Sequence, residues 1–238
     1  MTLPAGTSQE GETCPVYGFV VVHPDGIVIV DTGVGGGHPG IDALYRPQRR
    51  PVADHLSALK IAPDDVTLVI NTHLHFDHCG DNSLFPDKRI LVQKPEYEAA
   101  QEPAYTVPAW ANFPGVRFQL LEGETEVLPG LTVLPTPGHT PGHQSVLVDT
   151  NEGLVIIAAQ AAYTADEYAR PEEPHPRGLD SAWNRARYLE SLQRLRGLKP
   201  RRVFFSHDAA VWGAELTTPR PSSPYFLPSI KTNSPGTE

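Results

Sequence analysis

The sequence predicts a mixed α/β fold of two similar halves, and three observations carry that reading. β-Branched runs recur along the chain, two of them joined as a hairpin. Two stretches with apolar residues at helical spacing interrupt them. The resulting order is strands, helix, strand, then strands, helix, strand again, the pattern of two α/β units in which strands feed loops.

Residues 16–23 (VYGFVVVH) and 27–31 (IVIVD) flank Pro24-Asp25-Gly26, a turn signal between two strand-forming runs. The second run ends in Asp31-Thr32-Gly33 and a glycine cluster. Residues 52–60 read as a short amphipathic helix, and 66–72 (VTLVINT) as a buried strand. Further strands are expected at 89–93, 116–121, 131–135, 144–149, 153–158 and 202–206. Helices are expected at 94–101 and 179–196, the latter with basic residues in its last turns. From Thr217 onward five prolines punctuate the chain. The expected division is therefore a body over 1–218 and a Pro/Ser-rich tail over 219–238, extended or wrapped around the body.

Composition bounds the function. A length of 238 residues with 39% apolar residues is enough for a substantial core. A net charge of −9 disfavours a nucleic-acid backbone as partner. The N-terminal stretch lacks the basic and apolar regions of a signal peptide, and no apolar run is long enough to span a bilayer, so a cytoplasmic protein with no membrane partner is expected. Two cysteines, Cys14 and Cys79, make no disulfide framework.

The chemistry concentrates in His73-Leu74-His75-Phe76-Asp77-His78, three imidazoles and a carboxylate directly after a buried strand. On an extended segment His73, His75 and Asp77 share a face, and the chain must turn for His78 to join them. Imidazole nitrogen and carboxylate oxygen suit a divalent ion such as zinc. Thr136-Pro137-Gly138-His139-Thr140-Pro141-Gly142-His143 is a rigid loop able to hold a ligand, and Phe204-Phe205-Ser206-His207-Asp208 is a strand closing on a histidine. His143 reads as structural; His23, His38, His55 and His175 read as surface residues. Tyr105, Trp110 and Phe113 lie in a Pro-rich segment that either lines an apolar pocket or packs a long loop.

HLHFDH followed by TPGHTPGH and a strand-terminal histidine resembles the metallo-β-lactamase superfamily. CPVYGFVVVHPDGIVIVDTG, NTHLHFDHCG, QAAYT at 160–164 and FFSHD resemble its N-acyl homoserine lactonase branch, from about Cys14 to about Thr218. The resemblance implies a four-layer αββα sandwich with a metal centre at one edge between the sheets. It implies one metal on His73, His75 and His139, a second on Asp77, His78 and His207, and a hydroxide between them. Tyr163 then polarises the substrate carbonyl, Asp77 passes a proton to the leaving alkoxide, and Asp31 orients a ligand by hydrogen bonding. The implied cofactor is one or two Zn2+, other divalent metals being open, and the implied activity is hydrolysis of a lactone or related ester. A small-molecule substrate is the expected partner, and a homodimer is left open.

One position departs from the pattern. The family places a metal-bridging aspartate where this chain has Gln160, a neutral amide whose carbonyl oxygen is the weaker donor. Three outcomes follow from it: two metals held weakly, one metal, or lost hydrolysis. The rival readings are a hydrolase of the same fold acting on thioesters, β-lactams or phosphoesters, a mononuclear iron oxygenase acting on a thiol, and a catalytically impaired binding homologue.

Overall fold

The computed structural model describes residues 1–2, 11–172, 182–213 and 229–231. Two mixed sheets face each other. The first has the order β11-β1-β2-β3-β4-β5, with β1 Phe19–His23, β2 Gly26–Val30, β3 Val66–Ile70, β4 Arg89–Gln93, β5 Arg117–Leu121 and β11 Ser229–Lys231. The second has the order β10-β9-β8-β7-β6, with β6 Thr125–Leu128, β7 Leu131–Pro135, β8 Gln144–Thr150, β9 Gly153–Ala159 and β10 Arg202–Phe205. The helices are α1 Pro39–Tyr45, α2 Val52–Ala58, α3 Lys94–Ala99, α4 Pro108–Ala111, α5 Ala165–Ala169 and α6 Arg185–Gly197.

Strand alternation builds the layers. Phe19 and Val21 of β1, Leu68 and Ile70 of β3, Val133 of β7, Val146 and Val148 of β8 and Ile157 of β9 point between the sheets and form one core. Their neighbours point outward. Val20, Ile29 and Val69 pack under Val52 and Leu56 of α2. Leu134, Ile156 and Ala158 pack under Tyr168 of α5 and Leu192 and Leu195 of α6. A helix layer thus covers each outer face, giving the αββα sandwich. Truncating a residue as buried as Leu192 to alanine would cost about 2–5 kcal/mol.

The hairpin falls where the sequence places it, with His23 paired to Gly26 across Pro24-Asp25. Three differences from expectation stand out. The long helix starts at Arg185 rather than 179, because the Asn184 side chain accepts from the Arg187 N–H and caps it; residues 179–181 lie outside the described residues. Helices α1, α4 and α5 and strand β6 were not expected; α1 buries no residue, so it shows no core-facing period. His23 is buried, not at the surface, its Nε2 donating to Pro129 O at 2.9 Å while Nδ1 accepts from Asp25 N. Of the expected tail, Ser229–Lys231 pair in parallel with Val20–Val22; the rest lies outside the described residues, as does His175. Neither Cys14 nor Cys79 is in a disulfide, and both are buried. No helix among the described residues is long and apolar enough to cross a membrane.

Candidate metal centre

The chain delivers its polar residues from the C-terminal ends of five strands. Asp31 follows β2, the His73–His78 loop follows β3, the 136–143 loop follows β7, Gln160 follows β9 and His207 follows β10. The His73–His78 loop reverses direction at once: the His78 N–H donates to His75 O at 3.0 Å. It also passes the glycine loop after β2 at backbone contact, where a Cβ on Gly80 would lie 1.8 Å from the Gly35 nitrogen. Only glycine fits at that crossing. In the second half Gly138, at φ +143°, lies against the Tyr188 backbone, where a Cβ would fall 2.3 Å from Tyr188 Cα.

Two clusters of residues that could hold a metal ion result. His73, His75 and His139 form one, and Asp77, His78 and His207 the other; within each set the donor atoms lie within 4.8 Å of one another. His75 Nδ1 is 3.1 Å from both His73 Nε2 and His139 Nε2. Asp77 Oδ2 is 3.6 Å from His78 Nε2 and 3.7 Å from His207 Nε2. The turn over 75–78 therefore separates Asp77 from His73 and His75, with which simple alternation grouped it.

Hydrogen bonds fix which nitrogen of each ring is available. Thr72 Oγ1 donates to Asp31 Oδ2 at 2.6 Å and so accepts from His73 Nδ1–H at 3.2 Å, leaving His73 Nε2 as a lone pair. His78 Nδ1–H donates to the same Asp31 oxygen at 2.8 Å, and His207 Nδ1–H to Pro15 O at 2.8 Å. His78 Nε2 is buried without a hydrogen-bond partner among the described residues, and so is Gln160 Oε1. Buried polar atoms of this kind are costly unless something else satisfies them. Convergent lone pairs with such atoms between them fit cations.

The titration behaviour agrees. Burial, then the neighbouring imidazoles, push His73 and His139 well below the ordinary histidine value. Burial brings His75 down to about 4. These rings are neutral at neutral pH, the form in which an imidazole can bind a cation. Burial alone would raise the Asp77 carboxyl, but His78, His207 and His75 around it and a backbone hydrogen bond outweigh that and hold it below the usual value, so it is ionised.

Around the ligands lie residues that the sequence did not single out. Glu96 on α3 is fully buried. Its Oε1 accepts from Leu74 N at 2.8 Å and Tyr105 Oη at 2.5 Å, and its Oε2 from Thr140 Oγ1 at 2.6 Å and Gly142 N at 3.2 Å. Burial raises its pKa, the four donors opposing the rise. One carboxylate thus ties the His73–His78 loop to the 136–143 loop. Glu167 on α5 accepts from the Tyr163 backbone N–H and, at 3.0 Å, from Tyr188 Oη. Asn82 and Asn71 bond side chain to side chain at 2.8 Å, and Asn71 also donates to His78 O at 3.1 Å. His143 has the structural place expected of it: its pKa is brought down to about 3 by burial, and its Nε2 accepts the Gln160 backbone N–H at 3.2 Å.

Tyr163 is buried and stacks on His207, ring centroids 4.9 Å apart and planes at 19°. A cleft of about 470 Å³ opens on His75 and His139, walled by Tyr105, Thr140, Pro141 and the exposed Trp183. Of the aromatic residues in the Pro-rich segment only Tyr105 lines it. Phe113 packs in the core beneath α2, and Trp110 packs edge-on to His38. A second cavity, about 380 Å³, lies behind Asp31 and Thr32 and contains none of the six ligands.

A profile of the metallo-beta-lactamase superfamily matches residues 11–207. An N-acyl homoserine lactonase of a Bacillus species is 33% identical over 210 residues, covering 82% of this chain and 81% of that protein. The N-acyl homoserine lactonase AttM of Rhizobium radiobacter is 31% identical, covering 83% of each. The solved structure of an N-acyl homoserine lactone hydrolase, with the product N-hexanoyl-L-homoserine bound at its catalytic metal centre, superposes with a TM-score of 0.73 at 29% identity, covering 87% of each chain. The ligand geometry, the layer order and these likenesses agree: the chain belongs to the metallo-beta-lactamase superfamily, in the N-acyl homoserine lactonase branch.

Proposed function

We propose that this protein is a zinc-dependent lactonase that opens N-acyl homoserine lactones to the corresponding hydroxy acids. The observation that carries the reading is the pair of convergent residue sets, His73/His75/His139 and Asp77/His78/His207, the first of which meets an open cleft at His75 and His139. Its relatives' activity supplies the substrate class. Divalent cations, when bound, supply Lewis acidity: they make water nucleophilic near neutral pH and polarise a carbonyl.

The chain's own groups do the rest. Tyr105, Pro141 and Trp183 give the cleft an apolar wall for an acyl chain, and a volume of about 470 Å³ admits a small ligand. The Tyr163 ring, held flat on His207, brings its hydroxyl to donate to the lactone carbonyl as negative charge develops there. Water adds to the carbonyl carbon, the ring C–O bond breaks, and the departing alkoxide takes a proton by way of Asp77. Asp77 suits that passage because it is ionised in the resting site and next to the reacting position.

The test is a hydrolysis panel on zinc-loaded protein: N-hexanoyl homoserine lactone, a thioester, a β-lactam and a phosphodiester, each followed by product analysis. Lactone opening well above the other three is expected, with Tyr163→Phe lowering kcat more than it raises KM. Turnover of another panel member with the lactone left intact would overturn the assignment.

A further inference from the structure

The second residue set carries the only carboxylate of the six candidate ligands, and the family's further position is held here by an amide, Gln160. Gln160 is 4% exposed, and its Oε1 has no hydrogen-bond partner among the described residues. Its place is fixed from both sides. On one side its backbone N–H is bonded to His143, whose ring lies 5.4 Å from that of His73. On the other, Ala159 pairs with Phe205, two residues before His207. The residue thus sits beside a ring that neighbours His73 and on a strand end adjoining the one that leads to His207, at the turn where Ala159 takes φ +52°.

We propose that Gln160 Oε1 is the shared donor between the two sets and that, because it is neutral, the centre holds one divalent cation tightly and a second only weakly. This rests on the reading of the site as a two-cation centre. Two divalent cations bring four positive charges into a buried space. Asp77, the one carboxylate among the six, returns one negative charge as a ligand. Asp31 acts only through the imidazole of His78, and the Glu96 carboxylate is already taken by four donors from the protein. The first cation meets no opposing charge. The second meets the first at short range, where a missing anion is worth roughly a hundredfold or more in affinity. A carboxylate at position 160 would supply that anion and offer one oxygen to each cation.

The experiment reads metal, not turnover. Metal-free full-length protein is dialysed to equilibrium against zinc buffered by a competing chelator at a series of free concentrations, and bound zinc is measured by elemental analysis. The native chain should take up its first equivalent and then require free zinc higher by about a hundredfold for the second. Gln160→Glu changes charge with almost no change of shape, and Gln160→Asp shortens the same group; at least one should close most of that gap while keeping the first equivalent, which also shows that the variant is folded. Uptake of two equivalents together by the native chain would overturn the proposal, and so would an unchanged gap in both variants. A protein that shows the gap but opens no lactone would sink the proposed function and leave this inference standing.

Discussion

The two halves of the molecule supply the centre in different ways. The first sheet delivers His73, His75, Asp77 and His78 from one six-residue loop, braced by Asp31, Thr72 and Asn71 from neighbouring strand ends of the same sheet. The second delivers His139, then Gln160 and Tyr163 together, then His207, from three separate strand ends, and these are braced by further contacts: Glu96 on Thr140 next to His139, His143 on Gln160, Glu167 on Tyr163 and the Pro15 carbonyl on His207. A ligand set made by one loop is specified by local sequence. One assembled from separate loops depends on tertiary contacts, and so should fail through the fold as readily as through the ligands.

The largest effect should come from the six-residue loop of the first half. His75 Nδ1 is the point to which both His73 and His139 converge, so His75→Ala removes the vertex of the first set. Bound zinc and lactone opening should both fall by far more than the ~10–100-fold that loss of a ligand's hydrogen-bonding partner costs, with the unfolding transition of the metal-free protein little changed. Full zinc retention on elemental analysis would mean that the first sheet does not supply this site.

Glu96→Ala tests the other half of the contrast. It leaves three buried donors, from Leu74, Thr140 and Gly142, and the half-buried Tyr105 hydroxyl without an acceptor. Chemical denaturation should show a loss of about 3–5 kcal/mol, although no ligand has been touched. A stability loss below about 1 kcal/mol would show that the two loops hold their positions without this clamp.

Legibility in the sequence follows the same division. The strands with continuous apolar runs, the hairpin and the HLHFDH loop could be read directly, because their signals are local. Glu96 could not. It sits in KPEYEA, where alternating charge looks like a solvated helix face, and its burial is set by the approach of Gly142, whose Cβ would lie 2.2 Å from the Glu96 nitrogen. The start of α6 was missed although Asn184 is a good N-cap residue, because apolar spacing upstream of it continued the pattern. Helix α1 buries nothing and α4 has four residues, too little for a period to register. Grouping Asp77 with His73 and His75 failed because the tight turn at His75–His78 replaces alternation.

Asp31→Asn sharpens the comparison inside the first half. The carboxylate accepts from Thr72 N at 2.7 Å, Thr72 Oγ1 at 2.6 Å and His78 Nδ1–H at 2.8 Å. An amide has one acceptor oxygen. If that oxygen stays on the Thr72 N–H, its NH2 faces His78, which must then accept at Nδ1 and carry its proton on Nε2, the atom needed as a ligand. Zinc affinity should drop ~10–100-fold, and the loss should fall on the set containing His78 before the one containing His75. Equal weakening of both equivalents in a zinc titration would instead mean that Asp31 acts on the loop as a whole.

The smallest effect is expected at the edge of the first sheet. Among the described residues strand β11 pairs only with β1, over three residues, and β2 separates β1 from β3, at whose end the ligand loop begins. A chain ending at Thr218 loses those pairings, yet among the described residues none of the six candidate ligands, nor any hydrogen-bond partner named for them above, lies beyond that point. Its zinc content should equal that of the full chain, while stability falls by about 1 kcal/mol, or ~2–4 °C in Tm for a domain of this size. Loss of bound zinc on truncation would show that support for the centre reaches it through β1 and β2 from outside the body of the fold. The locally built half would then depend on distant contacts as much as its counterpart does.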